Sequence, residues 1–128
     1  MPTHTLRPPF RADVVGSYLR PAELHQARKD AAQGRISPAQ LKAVEDKTIT
    51  ELVSKQKQAG LRVITDGEFR RSWWHLDFMW GLNGVHKQQL SQGYRFADME
   101  TRAETAQISG RISGENHPFV EHFRFLLS

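Results

Sequence analysis

Two short stretches of this sequence carry residue types able to do chemistry: Gly16-Ser17 and Asp66-Gly67-Glu68. A glycine at a strand end lets a ligand come close to the backbone, and the serine after it offers a hydroxyl and an N–H that can grip a small carboxylate. The Glu68 carboxylate could receive an ammonium group, ligate a metal or act as a base. Taken singly, Gly16-Ser17 reads first as an ordinary tight turn and Glu68 as a surface glutamate paired with Arg70 or Arg71. Their placement together narrows the choice. Each stretch follows a short β-branched run, Ala12-Asp13-Val14-Val15 and Leu61-Arg62-Val63-Ile64-Thr65. In parallel βα architecture the loops leaving the C-terminal ends of strands collect ligands on one face. A small amino acid fits such a pair, its carboxylate on the first loop and its ammonium on Glu68.

The elements that must position these loops follow from hydrophobic period and caps. Residues 12–15 and 61–65 are expected as strands. After Leu19-Arg20, Pro21 suits the first position of a short helix in which Leu24, Ala27, Arg28 and Ala31 recur at helical spacing until Gly34. Ser37, Pro38 and Gln40 form a capping box, and Leu41, Val44, Thr48, Ile49, Leu52 and Val53 make one apolar face up to Gly60. A helix of about 22 residues spans roughly 33 Å. Strand, long helix and strand make a βαβ unit with a parallel sheet and a right-handed crossover. Beyond it, Trp73 to Trp80 predicts a helical turn or two, and Val85, Gln89 and Tyr94-Arg95-Phe96 a hairpin bracketed by glycines. Residues 105–112 alternate as a further strand. Asn116-His117-Pro118 opens a last helix with Phe119, Val120, Phe123, Leu126 and Leu127 on its apolar side, and the absence of a capping glycine or polar tail reads as a cut chain.

Composition excludes several classes. With 128 residues, 38% apolar and 25% charged, the chain fits one soluble globular unit, and zero cysteines rule out disulfide scaffolds, Cys-based zinc folds and thiol nucleophiles. Eighteen Lys and Arg against 14 Asp and Glu give +4, which raises the question of a polyanionic partner. However, acids and bases alternate through Glu45-Asp46-Lys47, Glu51 and Lys55-Gln56-Lys57 as on a solvated helix face, and Arg70-Arg71 is too small a cluster for a nucleic-acid stripe. No nucleic acid is expected, nor a membrane: no apolar run approaches the ~18–20 residues of a span, and the first residues lack a signal sequence, so the cytoplasm is the expected compartment. His117 and His122 would lie on different helix faces, and His75 and Asp77 diverge, so no zinc site is read and His75 is expected at the surface. Trp73, Trp74, Phe78 and Trp80 are expected in a core or an interface.

The residues around the two loops are also familiar as a set. Arg11-Ala12-Asp13-Val14-Val15-Gly16-Ser17-Tyr18-Leu19-Arg20-Pro21, then Gly60-Leu61, Ile64-Thr65-Asp66-Gly67-Glu68-Phe69-Arg70-Arg71, then Trp74, Asp77-Phe78 and Gly84 resemble the cobalamin-independent methionine synthase family, closest to its short single-barrel relatives. The resemblance implies an α/β fold of the methionine synthase and uroporphyrinogen decarboxylase type, a (β/α)8 TIM barrel. It also implies a 5-methyltetrahydropteroyltriglutamate–homocysteine S-methyltransferase-like activity in methionine biosynthesis. In that family a zinc-bound homocysteine thiolate takes a methyl group from a methyltetrahydrofolate. By the same resemblance Val15, Gly16 and Ser17 match the contacts to the homocysteine carboxylate, and Glu68 the glutamate at its amino group. Arg20, Asp66 and Arg71 carry no role over.

Family members of the short class run to roughly 350 residues, as a barrel with insertions does. Residues 1–128 therefore read as the N-terminal part of one catalytic barrel, truncated, with the first βα units, a hairpin insertion and no second domain. The family's zinc ligands and most pterin contacts fall on later strands, so no metal is expected in this chain and no catalysis from it alone. Open sheet edges favour a homo-oligomer. The expected ligand is a homocysteine- or methionine-like small molecule; the alternative is a non-catalytic remnant or small module that binds an amino acid or a protein partner.

Overall fold

A computed structural model describes residues 13–128, which fall into two compact units, one ending at Arg70 and the other running from Arg71 to Ser128. The first unit is helical. Helix α1 spans Ala22–Ala32 and α2 spans Pro38–Gln58. Pro21 stands just outside α1 as an extended N-cap (φ −66°, ψ 155°) rather than at its first position, a one-residue difference at a fraying end. The expected capping box of α2 is present: the Gln40 N–H donates to Ser37 Oγ (3.2 Å) and the Ser37 N–H to Gln40 Oε1 (2.8 Å). Such a cap contributes about 1 kcal/mol. Leu24 and Ala27 of α1 and Thr48 and Ile49 of α2 are buried, with Phe69 from the following bend.

The two strands expected in this unit are not formed. Residues 13–15 and 61–65 are irregular, with Ala12 lying outside the described residues, and both sheets among the described residues are antiparallel and lie in the second unit. The parallel βαβ sheet is thus corrected here to two helices and two loops. The physical reason is partnership: a strand is stabilised by ladder bonds and by burial of its side chains. Val15 is 94% exposed and Val63 39% exposed, so the β-branched residues bury little. The backbone of Thr65 is paired by a side chain instead of a neighbouring strand.

In the second unit the aromatic segment forms α3, Leu76–Trp80. It starts where the Asp77 carboxylate accepts from the Ser72 and Trp73 N–H groups at 2.9 and 2.7 Å. Trp73 and Trp80 are half-buried, while Trp74 is exposed. Strand β1 (Asn83–Gln89) pairs antiparallel with β4 (Glu104–Ser113), Val85 opposite Ile108 and Gln89 opposite Glu104. The hairpin expected between Val85 and Phe96 is therefore redrawn. The strand predicted at 105–112 is the partner of β1, and Arg95–Phe96 (β2) pairs only with Met99–Glu100 (β3) in a small ribbon between them. The register slips between Asn83 and Val85, where Gly84 has φ +76° and a Cβ would fall 2.5 Å from the Arg111 carbonyl oxygen.

Helix α4, Pro118–Leu127, begins as expected behind His117. The His117 ring is buried and makes two bonds that fix its tautomer. Nδ1 accepts from the Phe119 N–H (3.1 Å) while Nε2 faces the Phe78 carbonyl at 2.8 Å. Only a neutral ring protonated on Nε2 serves both. His117→Ala removes the cap and leaves the Phe78 carbonyl without that donor, so a loss of about 1–2 kcal/mol is expected in urea unfolding. His75, expected at the surface, is instead half-buried, its ring packed on Trp74 with centroids 4.4 Å apart.

Candidate functional site

All four residues expected to bind substrate lie in the first unit, and the structure brings their two loops together. The Tyr18 N–H donates to the Gly67 carbonyl at 3.1 Å. That bond places the chain just after Gly16-Ser17 against the residue just before Glu68. Gly67 is buried, and a Cβ there would come within 3.2 Å of the Tyr18 ring and 2.5 Å of Leu52, so the close approach of the loops depends on glycine. Gly16 has φ +85° with open space around it. Val15, Gly16 and Ser17 are exposed, and Glu68 is half-buried.

The acidic bend is built locally first. The Asp66 carboxylate accepts from the Glu68 N–H (2.9 Å), Thr65 Oγ1 accepts from the Gly67 N–H (3.1 Å), and the Asp66 carbonyl accepts from the Phe69 N–H (3.3 Å). Gly67 and Glu68 are both left-handed, at φ +65° and +58°. For a residue with a Cβ this costs about 1–2 kcal/mol, and such strain persists where surrounding bonds over-determine it.

Those bonds come from residues the sequence reading left without a role. Arg20 Nη2 donates to the Glu68 carbonyl at 2.7 Å, and Arg28 Nη1 to the Phe69 carbonyl at 2.8 Å. Gln56, buried on α2, receives the Thr65 N–H on Oε1 (3.0 Å) and donates from Nε2 to the Thr65 carbonyl (2.8 Å). Arg70, its side chain 4% exposed, forks onto Glu45 (3.1 Å) and Asp46 (2.5 Å) of α2. The face read as solvated at Glu45-Asp46 and Gln56 is thus partly an anchoring surface. A signal for two of these residues was present: Arg28 recurs with Leu24 and Ala27, and Gln56 follows Ile49 and Leu52 at helical spacing, so both sit on apolar faces.

Burial pushes the Glu45 carboxyl above its ordinary range even though Arg70 and Arg28 pull it down. At Asp46 burial pushes the same way but is outweighed by the hydrogen bonds from Lys42 and Arg70, which leave its carboxyl below the ordinary range. Two acids adjacent in sequence are thus moved in opposite directions by their depth.

Residues 10–116 match the family described as the cobalamin-independent synthase catalytic domain. The chain belongs to the cobalamin-independent methionine synthase family. It is 44% identical over 95% of its length to the uncharacterised Bacillus subtilis protein YxjG, of which it spans 32%. To the 5-methyltetrahydropteroyltriglutamate–homocysteine methyltransferase of Mesorhizobium japonicum it is 35% identical over 94% of its length and 15% of that enzyme's. Its fold is shared with a crystal structure from Listeria monocytogenes, a protein provisionally named as a vitamin-B12-independent methionine synthase. The TM-score there is 0.74 at 40% identity, covering 95% of this chain and 33% of the other. The chain thus spans about a third of the short relatives it matches.

Zinc, which the methionine synthase family implies, does not fit the described residues. Among them no three His, Asp or Glu side chains converge as ligands, and the chain has no cysteine. Also among the described residues, no helix is long and apolar enough to cross a membrane.

Proposed function

We propose that this chain supplies the amino-acid cradle of a 5-methyltetrahydropteroyltriglutamate–homocysteine S-methyltransferase-like protein. In this reading the backbone and hydroxyl of Val15, Gly16 and Ser17 hold the carboxylate of homocysteine, and the Glu68 carboxylate holds its ammonium. The sulfur-bearing end is left for groups elsewhere in the full-length family, where zinc activates the thiol and a methyltetrahydrofolate is the methyl donor. The residues described here bind and orient. Within a complete (β/α)8 barrel, 12–15 and 61–65 become neighbouring strands, and self-association substitutes for missing neighbours when the chain is alone.

The observation that carries this reading is the Tyr18-to-Gly67 backbone bond, which sets the carboxylate loop and the acidic bend side by side. Calorimetry with homocysteine and methionine tests it. Weak binding is expected, and Glu68→Ala should reduce it at least tenfold, the usual worth of one charge-assisted contact. Binding that survives Glu68→Ala unchanged, or no binding by the unaltered chain, removes the proposal.

A further inference from the structure

The bend that carries Glu68 is held at every carbonyl from Thr65 to Phe69. Thr65 accepts from Gln56, Asp66 from the Phe69 N–H, Gly67 from the Tyr18 N–H, Glu68 from Arg20 and Phe69 from Arg28. Two of these donors, Tyr18 and Arg20, belong to the segment that directly follows Gly16-Ser17. They differ in kind. The Tyr18 bond joins backbone to backbone and would form with almost any residue at 18. The Arg20 bond is charge-assisted, 2.7 Å long, and lands on the carbonyl of the strained residue itself.

The direction of a side chain follows the φ and ψ of its own residue, so whatever fixes the Glu68 peptide fixes where its carboxylate points. At φ +58° a small release lets Glu68 relax toward the right-handed region, which swings the Cα–Cβ bond away. Arg20 opposes that release, and it does so from the loop that would carry the other end of the ligand. The two recognition elements are therefore tied by the Arg20 guanidinium as well as by the Tyr18 backbone bond.

We propose that Arg20 is the positioning residue for α-amino-acid recognition, holding the Glu68 carbonyl so that the carboxylate meets an ammonium while the ligand's carboxylate lies on Gly16-Ser17. This rests on the binding reading above and deepens it. The ligand class is a zwitterion with both charged ends free, in preference to an amine or an acid alone. Lysine at position 20 keeps the charge but presents a point donor on a flexible stem in place of the planar guanidinium.

The test uses the full 128-residue chain and two probes, methionine and 4-(methylthio)butanoic acid, which lacks the amino group. The unaltered protein should prefer methionine by about tenfold, and Arg20→Met should remove that preference while leaving affinity for the acid within about twofold. Arg20→Lys should recover part of it. A purely structural role would weaken both ligands alike, so equal losses, or an intact preference in Arg20→Met, overturn the proposal. The Glu68 Cα chemical shift, read by NMR without ligand, should move from the left-handed toward the right-handed value in Arg20→Met while the signals of α1 and α2 stay in place. An unmoved shift also overturns it. If the unaltered chain binds neither probe yet the Glu68 shift moves, the binding reading falls and the coupling of Arg20 to Glu68 stands.

Discussion

Arg70→Met should destabilise the first unit by about 3–5 kcal/mol at neutral pH, chiefly the cost of leaving the buried Glu45 carboxylate without its hydrogen-bonded cation, while Asp46 keeps Lys42. Arg70 is 4% exposed at its side chain and Glu45 12%, and the guanidinium bonds both Glu45 and Asp46. Methionine has similar bulk, so packing changes little and the loss is electrostatic. The size of the effect should depend on pH, and the sign follows from the carboxyl shifts. Glu45 sits above its ordinary value of 4.5. The stability it contributes is therefore complete in its protonated form, below that value, and is lost as pH rises through the raised pKa. Removing Arg70 takes away an attraction that lowers that pKa, so the loss on ionisation grows. Asp46 sits below its ordinary value of 3.8; its contribution is present above that value and fades as pH falls through the lowered pKa, and Arg70 supplies part of it. Both signs agree that the penalty of Arg70→Met shrinks on acidification. Urea unfolding at pH 7 and near pH 4 checks this, and an equal penalty at both contradicts the ion-pair origin. Arg70→Met with Glu45→Leu should recover most of the loss, because an apolar pair of matched volume can replace a buried ion pair.

The consequence reaches the candidate site, because Arg70 directly follows the bend whose carbonyls at 65 and 67–69 are held by Gln56, Tyr18, Arg20 and Arg28, and its side chain ties that bend to α2. Several of the cations that make the chain basic are directed inward to carbonyls and carboxylates of its own fold. That is the physical content of a positive net charge that formed no stripe in the sequence.

What could be read in advance was local. Helix α2 was legible because a capping box, a proline and an apolar face all lie within its own residues, and α4 because Pro118 follows a residue able to cap. The two candidate loops were legible because glycine beside serine, or between two acids, limits what the backbone can do. The two strands expected in the first unit were misread, since a strand is a property of two segments. The run at 61–65 has the composition of one but no partner in the described residues of its unit, whereas 105–112 formed because β1 was there to receive it. The anchors Arg20, Arg28 and Gln56 were invisible for a related reason. Each acts through a backbone carbonyl, which has no letter in the sequence, and only the misplaced polarity of Arg28 and Gln56 on apolar helix faces hinted at it.

Gln56→Leu should cost about 2–4 kcal/mol, although leucine is the better residue for a buried helix face. Gln56 is 2% exposed, and its amide pairs both the N–H and the carbonyl of Thr65, at 3.0 and 2.8 Å. It thus offers Thr65 the acceptor and donor that an adjacent strand would. Leucine supplies more apolar area, about 1–2 kcal/mol in its favour, but leaves two partly buried backbone groups unsatisfied at about 1–3 kcal/mol each together with the lost hydrogen bonds. The balance falls on the side of destabilisation because both groups belong to one residue and neither can be rescued alone. Gln56→Glu separates the two bonds: its carboxylate still accepts from the Thr65 N–H but repels the carbonyl until it is protonated, so this variant should regain stability on acidification while the leucine variant does not. Should Gln56→Leu prove as stable as the parent in urea unfolding, the amide only fills space, and the backbone at Thr65 must be paired by something else when the loops come together.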